Sequence, residues 1–224
     1  MSVVMLSVIV SLKVALLATL VVVILATPLA WYLTRRNFTG KFLVEGILLL
    51  PLTLPPVAIG LMLLMLMSPR GILGRFWLAV SDKPLLLSWQ AAAVAAMVIS
   101  FPLYLKAAME SFASVPQRLE SMAETMGLSP WRCWWKVTLP LAARGLGAGA
   151  LLAAARALGE FGATTMVAGS IPGETETLAV GIYNSVMNGD EYTAWSLATA
   201  SLILAIIATI ASRSLSHYSA IRAV

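Results

Sequence analysis

Five long apolar runs, separated by short polar segments, dominate the pattern of this chain. They cover residues near 14–33, 44–67, 88–104, 141–167 and 193–211. A helix needs about 20 apolar residues to cross a hydrocarbon core about 30 Å thick, and a chain that crosses lipid must satisfy its backbone hydrogen bonds internally. The pattern therefore predicts an all-α, polytopic membrane protein with about five transmembrane helices.

Prolines interrupt the second run at Pro51, Pro55 and Pro56. Proline lacks a backbone N–H and clashes with the preceding helical turn, so we expect kinked or unwound backbone there. The carbonyl groups that such a kink frees must find protein or water within the membrane. We therefore expect this backbone to be surrounded by protein or water rather than by lipid.

The composition supports a membrane location. Hydrophobic residues make up 60% of the 224 residues and charged residues 11%, with a mean hydropathy of +0.90. A soluble domain carries about 25% charged residues, so this chain has too few to cover a surface in water. The single Cys133 excludes an intramolecular disulfide and a cysteine metal cluster, and the single His217 argues against a histidine site. We expect no metal site and no catalytic residue.

The placement of lysine and arginine predicts the orientation. Cytoplasmic loops carry an excess of these residues, so the pI of about 9.7 indicates topology rather than a nucleic-acid partner. The loop 170–192 has neither, although Arg70, Arg75 and Lys83 fall on the same side. The excess places the N-terminus in the periplasm and the C-terminus in the cytoplasm. The residues assigned to the cytoplasmic side are Arg35, Arg36, Lys41, Lys106, Arg118, Arg132, Lys136, Arg213 and Arg222.

A charged segment between the third and fourth runs combines an apolar helix face with a glycine. Glu120 and Glu124, four residues apart, predict an acidic strip beside that face rather than a salt-bridged pair. Gly127 is expected to end the helix in the left-handed conformation. The positions predicted to share one apolar face are Phe112, Val115, Leu119, Met122 and Met126.

A second helix is predicted to follow, with Ser129 as its N-cap and Pro130 as its first residue. Three tryptophans come next, at 131, 134 and 135. By themselves they are typical of a helix anchored at the membrane interface. The whole helix–glycine–helix unit favours a surface that docks a partner, because it would present a short helix rigidly to a groove.

Arg156 and Glu160 stand four residues apart in the fourth run. A charge at the centre of the bilayer costs about 2.5–3.5 kcal/mol or more, so the pair must face protein or water. Two interpretations stay open: an ion pair that locks the bundle, and a lining of the translocation path. Gly159 and Gly162 favour close helix packing.

The threonines that follow allow two interpretations as well. Their hydroxyl groups either meet a passing oxyanion or bond back to the carbonyls of their own helix. The residues predicted for the translocation path are Pro55, Pro56, Arg156, Glu160, Thr164 and Thr165.

The segment 120–127 and the later Leu139–Pro140 pair resemble the cytoplasmic coupling loop of ABC-transporter permeases. Met122 and Ala123 stand at the small-residue turn of that loop, and Gly127 at its glycine. The acidic residue is displaced to Glu120, with serine at 121 where the family often has glutamate. The ATPase-coupling residues that the resemblance implies are Glu120, Met122, Ala123, Gly127, Leu139 and Pro140.

A second resemblance narrows the family. Residues 156–164, RALGEFGAT, look like a segment of molybdate and sulfate permeases, and residues 170–177, SIPGETET, resemble the molybdate branch. Residues 35–41, 50–56 and 100–103 are also similar to that family. The resemblance extends from about residue 11 to residue 212.

The resemblance implies a type I ABC importer permease in the bacterial inner (plasma) membrane. Residues 1–224 would form a single transmembrane domain, with 105–140 as its cytoplasmic coupling loop. The expected partners are a cytoplasmic ABC ATPase subunit, a periplasmic oxyanion-binding protein and a second copy of the chain. ATP and Mg would bind the ATPase subunit, since this sequence has no phosphate-binding loop of the GxxxxGK[ST] type.

Molybdate, or else tungstate, is the cargo that the resemblance implies. Sulfate and thiosulfate permeases are the nearest alternative, because molybdate, tungstate and sulfate are all tetrahedral dianions. A secondary transporter or channel would need no coupling loop. An intramembrane enzyme would need paired acids, a serine with a histidine, or metal ligands at membrane depth, and the runs hold only Arg156 and Glu160. The acidic residues expected to contact the binding protein, or else to lie in a solvated loop, are Glu174, Glu176, Asp190 and Glu191.

Overall fold

Helices account for the regular structure that a computed structural model describes, over residues 3–220, with side chains described for 3–210. A 3-10 turn, Leu50–Leu52, follows α2, and a π-helical segment, Trp134–Thr138, joins α7 to α8. The α-helices are α1 (Val3–Arg35), α2 (Lys41–Leu49), α3 (Pro56–Met67), α4 (Ile72–Ser81), α5 (Trp89–Ala113), α6 (Gln117–Thr125), α7 (Pro130–Cys133), α8 (Leu139–Leu158), α9 (Gly162–Ala168), α10 (Leu178–Met187) and α11 (Glu191–Ala220).

Four helices within the described residues are long and apolar enough to cross a membrane: Val3–Arg35, Trp89–Ala113, Pro130–Leu158 and Glu191–Ile210. The bent pair formed by α2 and α3 makes a fifth candidate. The prediction of an all-α protein with about five transmembrane helices is therefore confirmed. Three residues used in the predictions, Arg213, His217 and Arg222, lie outside the part of the chain whose side chains are described.

The second apolar run is not one straight helix. Its two halves meet at an angle of 104°, between the 3-10 turn and the start of α3. Pro55 is extended, with φ −57° and ψ 132°, and Pro56 is the first residue of α3. A residue before a proline is pushed out of the helical region, whereas a proline fits the first helical position. The expected break at the prolines is confirmed.

The fourth apolar run is also broken, which its hydrophobic pattern did not predict. Helix α8 ends at Leu158, Gly159 follows as its C-cap, and α9 begins at Gly162. The Glu160 carboxylate accepts a hydrogen bond from the Ala163 N–H (2.9 Å). This side chain caps the new helix and stabilises the break.

Small residues let the long helices approach one another. Helices α1, α5 and α8 pack together, and α9 lies against α3 and α5. Lipid tails are as apolar as the helices, so no hydrophobic force drives helices together in a bilayer. Their association depends on van der Waals packing, which close backbone approach strengthens. The fully buried alanines at these interfaces are Ala18, Ala26, Ala30, Ala91, Ala92, Ala93, Ala95, Ala96, Ala108, Ala153, Ala163 and Ala168.

The two ends of α1 contact different polar segments. Near its N-terminus, the Ser7 hydroxyl donates to Glu176 (3.4 Å), and the Leu178 N–H donates to the Ser11 hydroxyl (2.8 Å). At its C-terminus, Arg35 pairs with Glu120 at 2.9 Å. The basic loop after α1 and the segment 105–140 therefore share one end of the bundle, and the loop 170–177 lies at the other.

Candidate coupling and translocation sites

The predicted continuous apolar face from Phe112 to Met126 is wrong. Helix α5 ends at Ala113, and α6 begins at Gln117 after Pro116. Pro116 cannot donate a backbone hydrogen bond and disfavours helical backbone in the residue before it. Phe112 and its neighbour at 115 are buried in the bundle, whereas the face of α6 turns away from it.

Helix α6 and its C-cap residue present methionines to their surroundings. Met122 and Met126 are 52% and 84% exposed, and Ala123 is the one residue of α6 that is buried. Methionine is flexible and polarisable, which suits it to a docking surface. The structure therefore leaves Met122 available to a partner and uses Ala123 for internal packing.

Gly127 ends this helix as predicted. Its φ of +89° lies in the left-handed region, and an added Cβ there would meet nothing within 4 Å. Its N–H donates to the Glu124 carbonyl (2.9 Å), and the next N–H, of Leu128, donates to the Ala123 carbonyl (3.2 Å). These bonds satisfy carbonyl groups at the helix end.

The predicted acidic strip of Glu120 and Glu124 does not form, because Glu120 is ion-paired. Its Oε1 accepts hydrogen bonds from the Arg35 Nη2 (2.9 Å) and from the Thr138 hydroxyl (2.7 Å). Glu124 alone is exposed. The 85-residue separation between Glu120 and Arg35 explains why local spacing could not find this ion pair.

The second helix begins at Pro130, with Ser129 at the N-cap position as predicted, but no side-chain capping bond forms. Trp134 is buried and stacks on Trp131, with ring centroids 5.5 Å apart. Trp131 and the neighbouring Trp135 are exposed. This mixture of buried and exposed rings suits a helix anchored at an interface.

The pair Leu139 and Pro140 begins α8, directly after the π-helical segment. In that segment the Leu139 N–H donates to the carbonyl of Trp134, five residues earlier. Such wide turns are rare and occur mostly as single turns within α-helices. Leu139 is half-buried and Pro140 is exposed. The pair therefore joins the π-helical segment to α8 without a loop.

The two broken runs meet each other. A Cβ on Gly162, in the first turn of α9, would lie 3.2 Å from the Pro56 Cβ. A Cβ on Gly60 would lie 2.9 Å from the Ala163 Cα. Gly162 is thus a close-packing residue, as predicted. Gly159 is not, because its nearest contact is a carbonyl 3.7 Å away in its own helix.

Arg156 and Glu160 form an ion pair of 2.8 Å beside this contact. The Glu160 side chain is 1% exposed, and that of Arg156 is 35% exposed. One carboxylate oxygen meets the guanidinium, and the other caps α9. The pair locks the break between α8 and α9, while the guanidinium keeps access to its surroundings.

The two threonines lie differently. Thr165 donates its hydroxyl to the Phe161 carbonyl (2.7 Å), which is the back-bonding alternative. Thr164 is buried, at 1% exposure. The described conformation therefore presents neither hydroxyl on an open surface, which leaves the prediction of an oxyanion contact without support from their geometry.

The acidic residues predicted for a contact or a solvated loop also separate. Glu176 is buried, and its carboxylate accepts a hydrogen bond from Ser170 (2.8 Å). Glu174 and Asp190 are exposed. Asp190 accepts a hydrogen bond from the Thr193 N–H (3.0 Å) before α11, and hydrogen bonds from Thr193 lower the pKa of the Asp190 carboxyl. Glu176 therefore stabilises the loop from within and does not lie in a solvated position.

Comparison with protein families decides the class. The family described as "Binding-protein-dependent transport system inner membrane component" matches residues 22–218. The chain belongs to this family. It is therefore an inner-membrane transport component rather than an intramembrane enzyme.

Curated relatives of this inner membrane component match over most of its length. The molybdenum transport system permease protein ModB of Escherichia coli (strain K12) is 40% identical over 221 residues, 97% of this chain and 95% of the relative. ModB of Haemophilus influenzae is 39% identical over 210 residues, 92% and 90% of the two chains. The sulfate transport system permease protein CysW of Synechocystis is 33% identical over 201 residues, 86% and 72%.

Solved structures show the fold. A bacterial alginate ABC transporter, crystallised in complex with a periplasmic protein that holds an alginate pentasaccharide, matches with a TM-score of 0.67. The match covers 96% of this chain and 77% of that chain, at 18% sequence identity. This inner membrane component therefore has an ABC importer permease fold.

Proposed function

We propose that this chain is the membrane-spanning permease subunit of an ATP-driven molybdate importer, with tungstate as an alternative cargo. The observation that carries the proposal is the identity of about 40% to molybdenum transport permeases over nearly the whole chain. The fold agrees, because the long helices pack into one bundle with a short exposed helix at one end.

The segment 105–140 serves as the coupling loop in this proposal, and α6 enters a groove of a cytoplasmic ATPase subunit. The exposed Met122 and Met126 supply apolar contacts, and Gly127 sets the direction in which the chain leaves the helix. Glu120 and Ala123 act indirectly, because they hold α6 on the bundle. ATP and Mg bind the ATPase subunit.

The assembly contains a second copy of the chain, a second ATPase subunit and a periplasmic oxyanion-binding protein. The excess of lysine and arginine at the end that carries α6 supports a cytoplasmic location for that end. The N-terminus is then periplasmic and the C-terminus cytoplasmic. The loop 170–177, at the opposite end, faces the binding protein, with Glu174 exposed.

Transport proceeds by alternating access. Closure of the ATPase pair around ATP draws the two coupling loops together and turns the bundles outward, and hydrolysis reverses this change. A ligand at each end biases one two-state equilibrium. The breaks at Pro55–Pro56 and at 159–161 support a gate where α3 and α9 meet, because broken helices provide backbone groups at membrane depth.

Sulfate is the second candidate cargo. The 33% identity to a sulfate transport permease favours it to a lesser degree than the 40% identity favours molybdate. The two anions share charge and shape, so the binding protein sets much of the selectivity in this proposal. The permease must then admit a tetrahedral dianion of either kind.

The test is ATPase activity of the chain reconstituted in lipid with its ATPase and binding protein, titrated separately with molybdate, tungstate and sulfate. Stimulation by micromolar molybdate or tungstate, without stimulation by sulfate, is the expected result. Stimulation by sulfate alone would keep the mechanism and change the cargo. Failure of the ATPase subunit to associate would contradict the assigned coupling loop.

A further inference from the structure

Arg35, the last residue of α1, reaches across the end of the bundle to the coupling segment. Its Nε and Nη2 both donate to Glu120 Oε1, at 3.2 and 2.9 Å, and Nη2 also donates to the Val115 carbonyl (3.0 Å). The Thr138 hydroxyl donates to the same Glu120 Oε1 (2.7 Å). One carboxylate oxygen thus joins the end of α1, α6 and the π-helical segment before α8. We call these three residues, Arg35, Glu120 and Thr138, the Glu120 junction.

The Glu120 junction is largely shielded from water. The side chains of Arg35 and Glu120 are 10% and 17% exposed, and Thr138 is 1% exposed as a residue. Charge-assisted hydrogen bonds are stronger than neutral ones and strengthen further in a low dielectric. The pair between Lys41 and Glu45 differs, at 3.8 Å with both side chains 26% exposed. Such exposed ion pairs contribute little to the stability of the fold.

Helix α6 packs against α7 and the π-helical segment, whereas its link to α1 is the Arg35–Glu120 pair. Its covalent link to α5 is the non-helical stretch 114–116, and Ala123 is its one buried residue. A further tie is weak: the Cys133 thiol lies 3.7 Å from the Glu120 carbonyl oxygen. A force applied to the exposed face of α6 therefore reaches α1 largely through Glu120.

We propose that the Glu120 junction is the joint through which movement of α6 reaches α1 and the helix Pro130–Leu158. Arg35 and Glu120 are positioning residues that couple ATP hydrolysis to transport. Helix α1 continues from the junction over roughly 42 Å, at 1.5 Å per residue, to Ser7, which contacts Glu176 in the opposite loop. The joint therefore links the two ends of the bundle. This inference rests on the proposed function.

The test uses the complex reconstituted with its ATPase and binding protein. Arg35→Gln and Glu120→Gln remove the charge attraction, and Lys41→Gln removes the same charge from the exposed pair as a matched control. Three quantities are measured: co-purification of the ATPase subunit, folded yield, and the number of ATP molecules hydrolysed per molybdate ion transported. We expect Arg35→Gln to keep the ATPase subunit bound and to lower stimulated transport by about tenfold, the effect of losing one charge-assisted interaction. The ATP cost per ion rises accordingly.

Two more variants separate positioning from simple folding. Arg35→Lys keeps a donor and a charge, so it should restore much of the coupling that Arg35→Gln loses. Thr138→Val keeps the ion pair and removes one bond to Glu120, so it should give an intermediate loss. A purely structural role would lower the folded yield in step with transport and would leave the ATP cost per ion unchanged.

The outcomes distinguish this inference from the proposed function. If the wild-type complex shows no stimulation by the loaded binding protein, the proposed function fails and the joint fails with it. If the wild type is stimulated and Arg35→Gln matches Lys41→Gln, the joint alone is overturned. Loss of ATPase co-purification in Arg35→Gln would also overturn it, because the pair would then serve docking.

Discussion

Gly60 of α3 lies so close to Ala163 of α9 that a Cβ on the glycine would be 2.9 Å from the alanine Cα. Two helix backbones approach this closely only where one of them carries a glycine. The contact joins the two broken runs, since each helix begins just after its break. The two breaks therefore lie against each other.

The first prediction concerns this contact. Gly60→Ala should lower the thermal stability of the detergent-solubilised protein, because the new methyl group would also lie 2.8 Å from the Met166 Cβ. Overpacking costs about 1–3 kcal/mol, against a helix-propensity gain of about 1 kcal/mol. Gly46→Ala is the control, since nothing lies within 4 Å of that position. Equal melting temperatures for the two variants would contradict the close contact.

The second prediction concerns Gly127. Gly127→Val should weaken ATPase association, because a β-branched residue at φ +89° is strained by roughly 1–2 kcal/mol and shifts the end of α6. Gly127→Asn, which tolerates left-handed backbone, should stay near the wild type. Co-purification of the ATPase subunit and molybdate uptake provide the measurement. If both variants behave alike, the conformation of this cap has no part in docking.

The third prediction separates the two roles of Glu160. Glu160→Gln removes the ion pair with Arg156 but keeps an oxygen that can accept from the Ala163 N–H. Glu160→Ala removes both and should lower the free energy of unfolding by a further ~1–3 kcal/mol, because the buried Ala163 N–H then has no partner. Denaturation in detergent compares them with Arg156→Gln. A milder effect of Glu160→Ala than of Glu160→Gln would refute the capping role.

The fourth prediction concerns the prolines. Replacing Pro55 and Pro56 with alanine should reduce transport, because the 104° bend then loses the residues that keep helical backbone from continuing. Pro84→Ala, at an exposed proline between α4 and α5, is the control. The assay is uptake into vesicles, normalised to the amount of protein inserted. Unchanged uptake in the double variant would count against a gate at this break.

The fifth prediction concerns pH. Hydrogen bonds from Thr193 lower the pKa of the folded-state Asp190 carboxyl, so its capping contribution is present above the unfolded-state pKa of about 3.9. That contribution disappears as the pH falls through the folded-state pKa. Amide exchange in the first turn of α11 should therefore show a loss of protection on acidification. Asp190→Asn, which caps without titrating, should show no such step.

The sequence alone determined the structural class of this protein and two of the positions at which its helices break or end. The lengths of the apolar runs predicted the number of transmembrane helices, because the thickness of the bilayer sets that length. Pro55 and Pro56 predicted the break before α3, and Gly127 predicted the left-handed cap, because each acts through its own backbone geometry. These properties depend on neighbouring residues and need no knowledge of distant contacts.

Only the tertiary structure decided which charged residues hold the fold together. Spacing predicted that Glu120 forms an acidic strip with Glu124, yet it pairs with Arg35, 85 residues earlier. Glu176 looked equally exposed, yet Ser7, 169 residues away, contacts its buried carboxylate. Periodicity places a side chain on a helix face but does not say what packs against that face. Burial and ion pairing arise from packing between distant segments, which a local pattern does not contain.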